Sequence, residues 1–141
     1  MTTGRVLGLD IGSKRIGVAV SDETGFLATA VATVQRGKGD RAAFRALIEK
    51  WQPARLVSGL PTGMSGREGP QAADTRVYAE QLARDLAMEL DYYDERLSSV
   101  MAERAMIDSG MSKSRRKENI DAVAAAIMLQ GYLDNQRIRR R

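Results

Sequence analysis

Neither cysteine nor histidine occurs among the 141 residues. Without cysteine the chain has no disulfide, no thiolate zinc site and no thiol nucleophile. Without histidine it loses the commonest general base, so catalysis near neutral pH must rest on carboxylates, lysine, tyrosine, hydroxyls or a metal held through oxygen atoms. Oxygen donors favour magnesium or manganese. Aromatic residues are scarce, with one Trp, two Phe and four Tyr, which leaves little material for base stacking and no clear base-reading surface. No apolar run approaches the roughly 20 residues of a membrane span. Met1 to Leu9 lacks the charged start, apolar stretch and small-residue cleavage site of a secretory signal, so a cytoplasmic protein without membrane contact is expected.

The composition is that of a globular chain: 43% hydrophobic and 28% charged, at a length that suits one domain with its own core. Residues 1–136 read as that domain and 137–141 as a basic tail carrying Arg137, Arg139, Arg140 and Arg141. The net charge of +4 suggests a polyanionic partner. Lys113, Arg115, Arg116 and Lys117 are the more informative cations, because they lie inside the chain just ahead of a strongly patterned helix.

Arg5 to Leu9 and Arg15 to Ser21 are apolar, β-branched runs separated by the turn formers of Asp10 to Lys14, which predicts a hairpin. Leu27 to Val34 follows as a third antiparallel strand. Asp40 caps a helix through Ala43, Leu47, Ile48 and Trp51 that Pro53 stops, and Arg55 to Gly59 is a short strand. Leu60 to Pro70 is too rich in glycine and proline for regular structure. A helix from Gln71 through Leu86 and a strand from Leu90 to Glu95 come next. Ser98 or Ser99 caps a helix to about Ile107, Asp108 to Lys117 reads as a basic loop, and Ile120, Val123, Ala124, Ile127, Met128 and Gly131 mark one face of the last helix. The order βββαβαβαα implies an α/β domain with a mixed sheet and flanking helices.

Carboxylates at three places in the chain stand out. Asp10 follows an apolar strand and precedes Gly12, a place that suits a ligand as well as a turn. Asp94 and Glu95 end a strand whose pleat sends them to opposite faces, so only one can share a site with Asp10; with Arg96 they also fit a surface charge cluster. Asp121 sits on the flank of an apolar stripe, where a lone carboxylate is unfavourable unless it meets a cation or the positive helix end. The small side chains of Ala122, Ala124, Ala125 and Ala126 would let that helix approach the sheet. Carboxylates brought together there would repel one another without a cation, which motivates Mg²⁺ or Mn²⁺. Lys14 and Arg15, on the turn after Asp10, suit phosphates or solvent.

LGLDIGSKRIGVAVSD at 7–22, VSGLPTGMSGREG at 57–69, YDERLSSVMAE at 93–103 and ENIDAVAAAIMLQGYLD at 118–134 together resemble the YqgF family, also called RuvX. These are small bacterial nucleases of the RNase H-like superfamily, related to Holliday junction resolvases. The resemblance covers nearly the whole chain and implies an RNase H-like fold with a five-stranded mixed sheet. It carries metal-binding, catalytic carboxylates onto Asp10, Glu95 and Asp121, and so favours Glu95 over Asp94. It further implies a hydrolase that processes the 5′ end of pre-16S rRNA in ribosome biogenesis. The chain departs from the family in Thr62, Gly63 and Ser65, where a PLNMDG-like stretch is common, and in Ser98 and Ser99, where threonines are usual.

With that reading, Lys14, Arg15, Arg96, Lys113, Arg115, Arg116 and Lys117 are the expected nucleic-acid contacts. The partner is structured RNA, with branched DNA as the alternative, and the protein acts as a monomer or homodimer. Two other functions compete: a Holliday junction resolvase in DNA recombination and repair, and an RNA-binding module without chemistry. LGLDIGSKRIGVAV also looks like the first phosphate motif of the actin, sugar-kinase and Hsp70 superfamily, but no second glycine-rich adenosine motif accompanies it.

Overall fold

Alternating apolar side chains give the chain its first three strands, β1 (Val6–Ile11), β2 (Arg15–Ser21) and β3 (Ala28–Gln35), paired antiparallel in succession. The structure, a computed structural model, describes residues 4–61, 69–94 and 113–139, with the backbone alone for 113–119 and 139. Helix α1 (Asp40–Trp51) leads to β4 (Arg55–Leu60), and α2 (Pro70–Leu86) leads to β5 (Glu89–Asp94). A long helix, α3 (Lys113–Arg139), follows. The strands form one sheet in the order β3-β2-β1-β4-β5, with β4 parallel to β1 and β5 parallel to β4. Each parallel neighbour is reached through a helical crossover, as parallel pairing requires. The expected five-stranded mixed sheet is therefore present.

Two apolar layers cover the sheet. Leu7, Leu9 and Ile11 of β1 join Phe44 of α1 and Tyr78, Ala79 and Leu82 of α2 on one face. On the other, Val6, Ala19 and Val57 pack against Ala125, Met128, Leu129, Tyr132 and Leu133 of α3. Met128 and Leu129 are fully buried, and burial of each contributes about 1.5–3 kcal/mol. Apolar burial therefore anchors α3. Among the described residues no helix is long and apolar enough to cross a membrane.

Several local expectations are corrected. Asp10 lies inside β1 rather than after it, because Ile11 still pairs with Ile16. Residues 113–117 continue α3 instead of forming a loop, which suits a run of helix-tolerant Lys, Ser and Arg without Gly or Pro. The buried stripe of α3 is centred on Ala125, Met128, Leu129 and Tyr132, while Ile120, Val123, Ile127 and Gly131 are only half-buried. The helix comes closest to the sheet through the Asp121–Ala122 backbone over Gly17, and the Leu129 side chain sits over Gly8. The helix expected from Ser98 or Ser99 to about Ile107 lies outside the described residues.

The far end of α3 is also tied down. The Gln130 side chain accepts from the Ala28 amide at 3.0 Å and donates to the Phe26 carbonyl at 2.7 Å. Arg137 lies 4.5 Å over the Phe26 ring, donates to the Gly25 carbonyl and pairs with Asp134. The helix continues through Arg139, so the first residues of the expected basic tail belong to it.

Candidate functional site

The pleat of β1 divides its residues between the two layers: Leu7, Leu9 and Ile11 face α1 and α2, which turns Val6, Gly8 and Asp10 toward α3. Asp10 is half-buried and registers with Gly17 of β2. Directly over Gly17 runs the backbone of Asp121. A Cβ built on Gly17 would stand 1.8 Å from the Asp121 carbonyl oxygen and 2.8 Å from the Ala122 nitrogen. Only glycine fits there. The missing side chain lets the helix touch the sheet and brings Asp121 beside the position of Asp10.

Asp121 accepts a hydrogen bond from Arg15 Nε at 2.9 Å, with the side chains 48% and 24% exposed for Arg15 and Asp121 respectively. Arg15 thus pairs with one of the two carboxylates while remaining partly exposed. Lys14, the neighbouring cation on the turn, is exposed. The turn itself is closed by the Gly12 amide donating to the Arg15 carbonyl at 2.9 Å.

β5 supplies the other candidate carboxylates. Tyr93 packs edge-to-face on Tyr132 of α3 at 6.2 Å between centroids, and the Tyr132 hydroxyl donates to Asp91 at 3.0 Å. Tyr92 points the other way, where its hydroxyl donates to Glu80 of α2 and is pushed up to about 12 by burial and that carboxylate. Asp94 shares the pleat of Tyr92, so it lies on the face opposite Asp10. Glu95 and Arg96 lie outside the described residues, as do the side chains of Lys113, Arg115, Arg116 and Lys117. Among the described residues no three metal-ligating side chains gather in one place. Asp10 registers with Gly17 and the Asp121 backbone lies over that same glycine, so these two are the candidate carboxylates that the described residues place on one side of the sheet.

A second polar cluster, which sequence reasoning missed, backs the β1–β2 turn. Arg36, just after β3, makes a two-pronged ion pair with Asp74 at 2.7 and 2.9 Å and donates to the Gly12 carbonyl at 3.0 Å. Its guanidinium lies 4.4 Å from the centre of the Tyr78 ring, whose other cation neighbour is Arg41 at 5.2 Å. The Tyr78 hydroxyl donates to buried Asp40 at 2.6 Å. Burial pushes Asp40 up, but that hydroxyl, the Gly37 amide and Arg41 outweigh it and hold the carboxyl below its ordinary value. Burial and the same bond push the Tyr78 hydroxyl upward. The sequence signal was one arginine in a polar loop, indistinguishable there from a solvated charge.

Known proteins resemble this chain in sequence and in fold. A family model described as "RuvX: Holliday junction resolvase" matches residues 4–135. A Clostridioides difficile protein named "Putative pre-16S rRNA nuclease" is 43% identical over 136 residues, covering 95% of this chain and 96% of the relative. A protein of the same name from Myxococcus xanthus is 44% identical over 135 residues, covering 94% and 89%. Among solved structures, Thermus thermophilus RuvC in complex with a Holliday junction substrate superposes with a TM-score of 0.56 at 14% identity, covering 95% of this chain and 96% of RuvC. At that identity the likeness is one of fold.

Proposed function

This chain belongs to the RuvX family, and on that premise we propose that it is a metal-dependent endonuclease that hydrolyses phosphodiester bonds in structured RNA. The role we assign is processing of the 5′ end of pre-16S rRNA in the cytoplasm. The observation that carries the chemistry is the approach of Asp121 to the strand position of Asp10 through the missing side chain of Gly17. The relatives' name supports the choice of RNA.

Asp10 and Asp121 are oxygen donors on one face of the sheet, a donor set that fits Mg²⁺ or Mn²⁺. Glu95 is assigned as the third ligand by the family resemblance, in keeping with Asp94 facing away from Asp10. When bound, divalent metal supplies an activated water and neutralises charge on the departing oxygen. The chain's own residues do the rest. Asp10 and Asp121 fix the site on a strand and a helix, which hold geometry better than loops. Arg15 balances Asp121 and, half-exposed, presents further N–H donors toward a phosphate; Lys14 adds a second cation on the same turn. Lys113, Arg115, Arg116 and Lys117, at the start of α3, are assigned as further RNA contacts, and Arg96 with them.

The family description favours one second reading, a Holliday junction resolvase. Cutting both strands of a junction symmetrically calls for a dimer, whereas an rRNA nuclease works as a monomer or homodimer. Competition between an RNA spanning the immature 5′ end of 16S rRNA and a four-way DNA junction separates the two. Preferential cutting of the RNA supports the proposal. Preference for the junction replaces it with the resolvase, and equal cutting of unstructured strands contradicts structure-selective recognition.

A further inference from the structure

Arg36 holds the β1–β2 turn from both of its ends. Its backbone amide donates to the Lys14 carbonyl at 2.9 Å, and its guanidinium donates to the Gly12 carbonyl at 3.0 Å. Gly12 therefore has both backbone groups committed, its amide to Arg15 and its carbonyl to Arg36. A Cβ on Gly12 would also stand 2.8 Å from the Arg15 carbonyl oxygen, so the turn admits no other residue. Asp10 comes two residues before this glycine. Arg15, the partner of Asp121, comes three after it.

The guanidinium is itself fixed by a rigid element. Asp74 takes both prongs from the start of α2, and Tyr78, one turn later on the same helix face, supports the guanidinium with its ring. The ring cannot swing, because its hydroxyl is bound to Asp40 of α1. Only 19% of the Arg36 side chain is exposed, against 50% for Asp74. A planar fork that pairs two ways with a carboxylate, stacks on a ring and still reaches a carbonyl is chemistry that arginine has and lysine lacks.

From this geometry we infer that Arg36 is a positioning residue for the nuclease reaction, locking the Gly12 turn against α2 so that Asp10 and Arg15 keep their directions toward Asp121. The inference rests on the nuclease reading above. Arg36 acts through Gly12 and touches neither substrate nor scissile phosphate. Because its charge is matched by Asp74, it contributes little to the field that attracts RNA.

The test compares kcat and KM for cleavage of the pre-16S RNA by wild type, Arg36→Ala, Arg36→Lys, Asp74→Asn and Arg41→Ala. Misplacing a catalytic group costs rate rather than affinity, so Arg36→Ala is expected to lower kcat about tenfold or more with KM within about twofold. Arg36→Lys, which keeps the charge and folds more readily, restores only part of kcat, and Asp74→Asn gives a smaller loss in the same parameter. Arg41→Ala removes the other cation from Tyr78 together with its pairs to Asp40 and Asp85, but does not touch Gly12. It is expected to lower kcat less than Arg36→Ala, because the Arg36 bond to Gly12 remains. A wild-type kcat in Arg36→Ala overturns the inference, and so does a loss that appears in KM and in the salt dependence, which would make Arg36 a phosphate contact. Failure of the wild type to cut any nucleic acid overturns the nuclease reading itself, and this inference with it.

Discussion

The Asp121 backbone rests on Gly17, so close that a Cβ on the glycine would lie 2.2 Å from the Asp121 carbonyl carbon. Neither partner can yield cheaply, since one is a paired strand and the other a helix held by Met128, Leu129 and Tyr132. Gly17→Ala is therefore expected to cost about 3 kcal/mol or more, the upper end of overpacking. It should also abolish cleavage, because the helix must lift Asp121 away from Asp10. Urea unfolding and an RNA cleavage assay check the two effects; an alanine variant of unchanged stability and activity would contradict the close approach.

Removing Arg15 should act on function and hardly on stability. Its pair with Asp121 is partly exposed on both sides, so Arg15→Gln is expected to change the unfolding free energy by less than about 1 kcal/mol. RNA affinity should fall, with the slope of log K against log salt reduced by about 0.7–0.9, the value for one neutralised phosphate. An unchanged slope would make Arg15 a partner of Asp121 alone.

Much of this was legible in the sequence and some was not. The three opening strands, the two crossovers and the last helix follow from apolar periodicity, and the mix of antiparallel and parallel pairing follows from the connections, whereas the placing of β4 beside β1 is seen only in the folded sheet. The end of β1 was misplaced because Asp10 and Gly12 resemble a turn, whereas pairing of Ile11 with Ile16 extends the strand past the aspartate. The facing stripe of α3 differs for a related reason: periodicity weights large aliphatics, whereas the buried face includes the small Ala122, Ala124 and Ala125 beside Met128 and Leu129. Arg36 and Asp74 were invisible, because an ion pair across 38 positions of sequence exists only once β3 and α2 have been folded together.

Lys113, Arg115, Arg116 and Lys117 now belong to the first turns of α3 rather than to a loop. Their replacement by glutamine should weaken RNA binding and flatten its salt dependence by about 0.7–0.9 in slope for each phosphate that is no longer neutralised. A filter-binding titration across salt concentrations measures this. A slope equal to that of wild type would remove these residues from the interface.

Asp22 governs the acid behaviour of the β2–β3 connection. The Thr24 hydroxyl, then the Leu27 and Phe26 amides, donate to its carboxylate and hold it down at about 2. A folded-state value below the unfolded one, about 3.9, means that the stability from these bonds is present above about pH 4 and is lost as pH falls toward about 2. Asp22→Asn should flatten the acid limb of the stability profile in that window. A limb of unchanged steepness would assign acid unfolding to other carboxylates.

The most direct test of the central claim is cleavage of an RNA spanning the immature 5′ end of 16S rRNA by wild type, Asp10→Asn and Asp121→Asn, with Mn²⁺ or Mg²⁺ and with chelator. The expected result is cutting by wild type that requires the metal and disappears in both variants, while their folds are retained. Cutting that survives chelation, or that persists in either variant, would contradict a site built on Asp10 and Asp121.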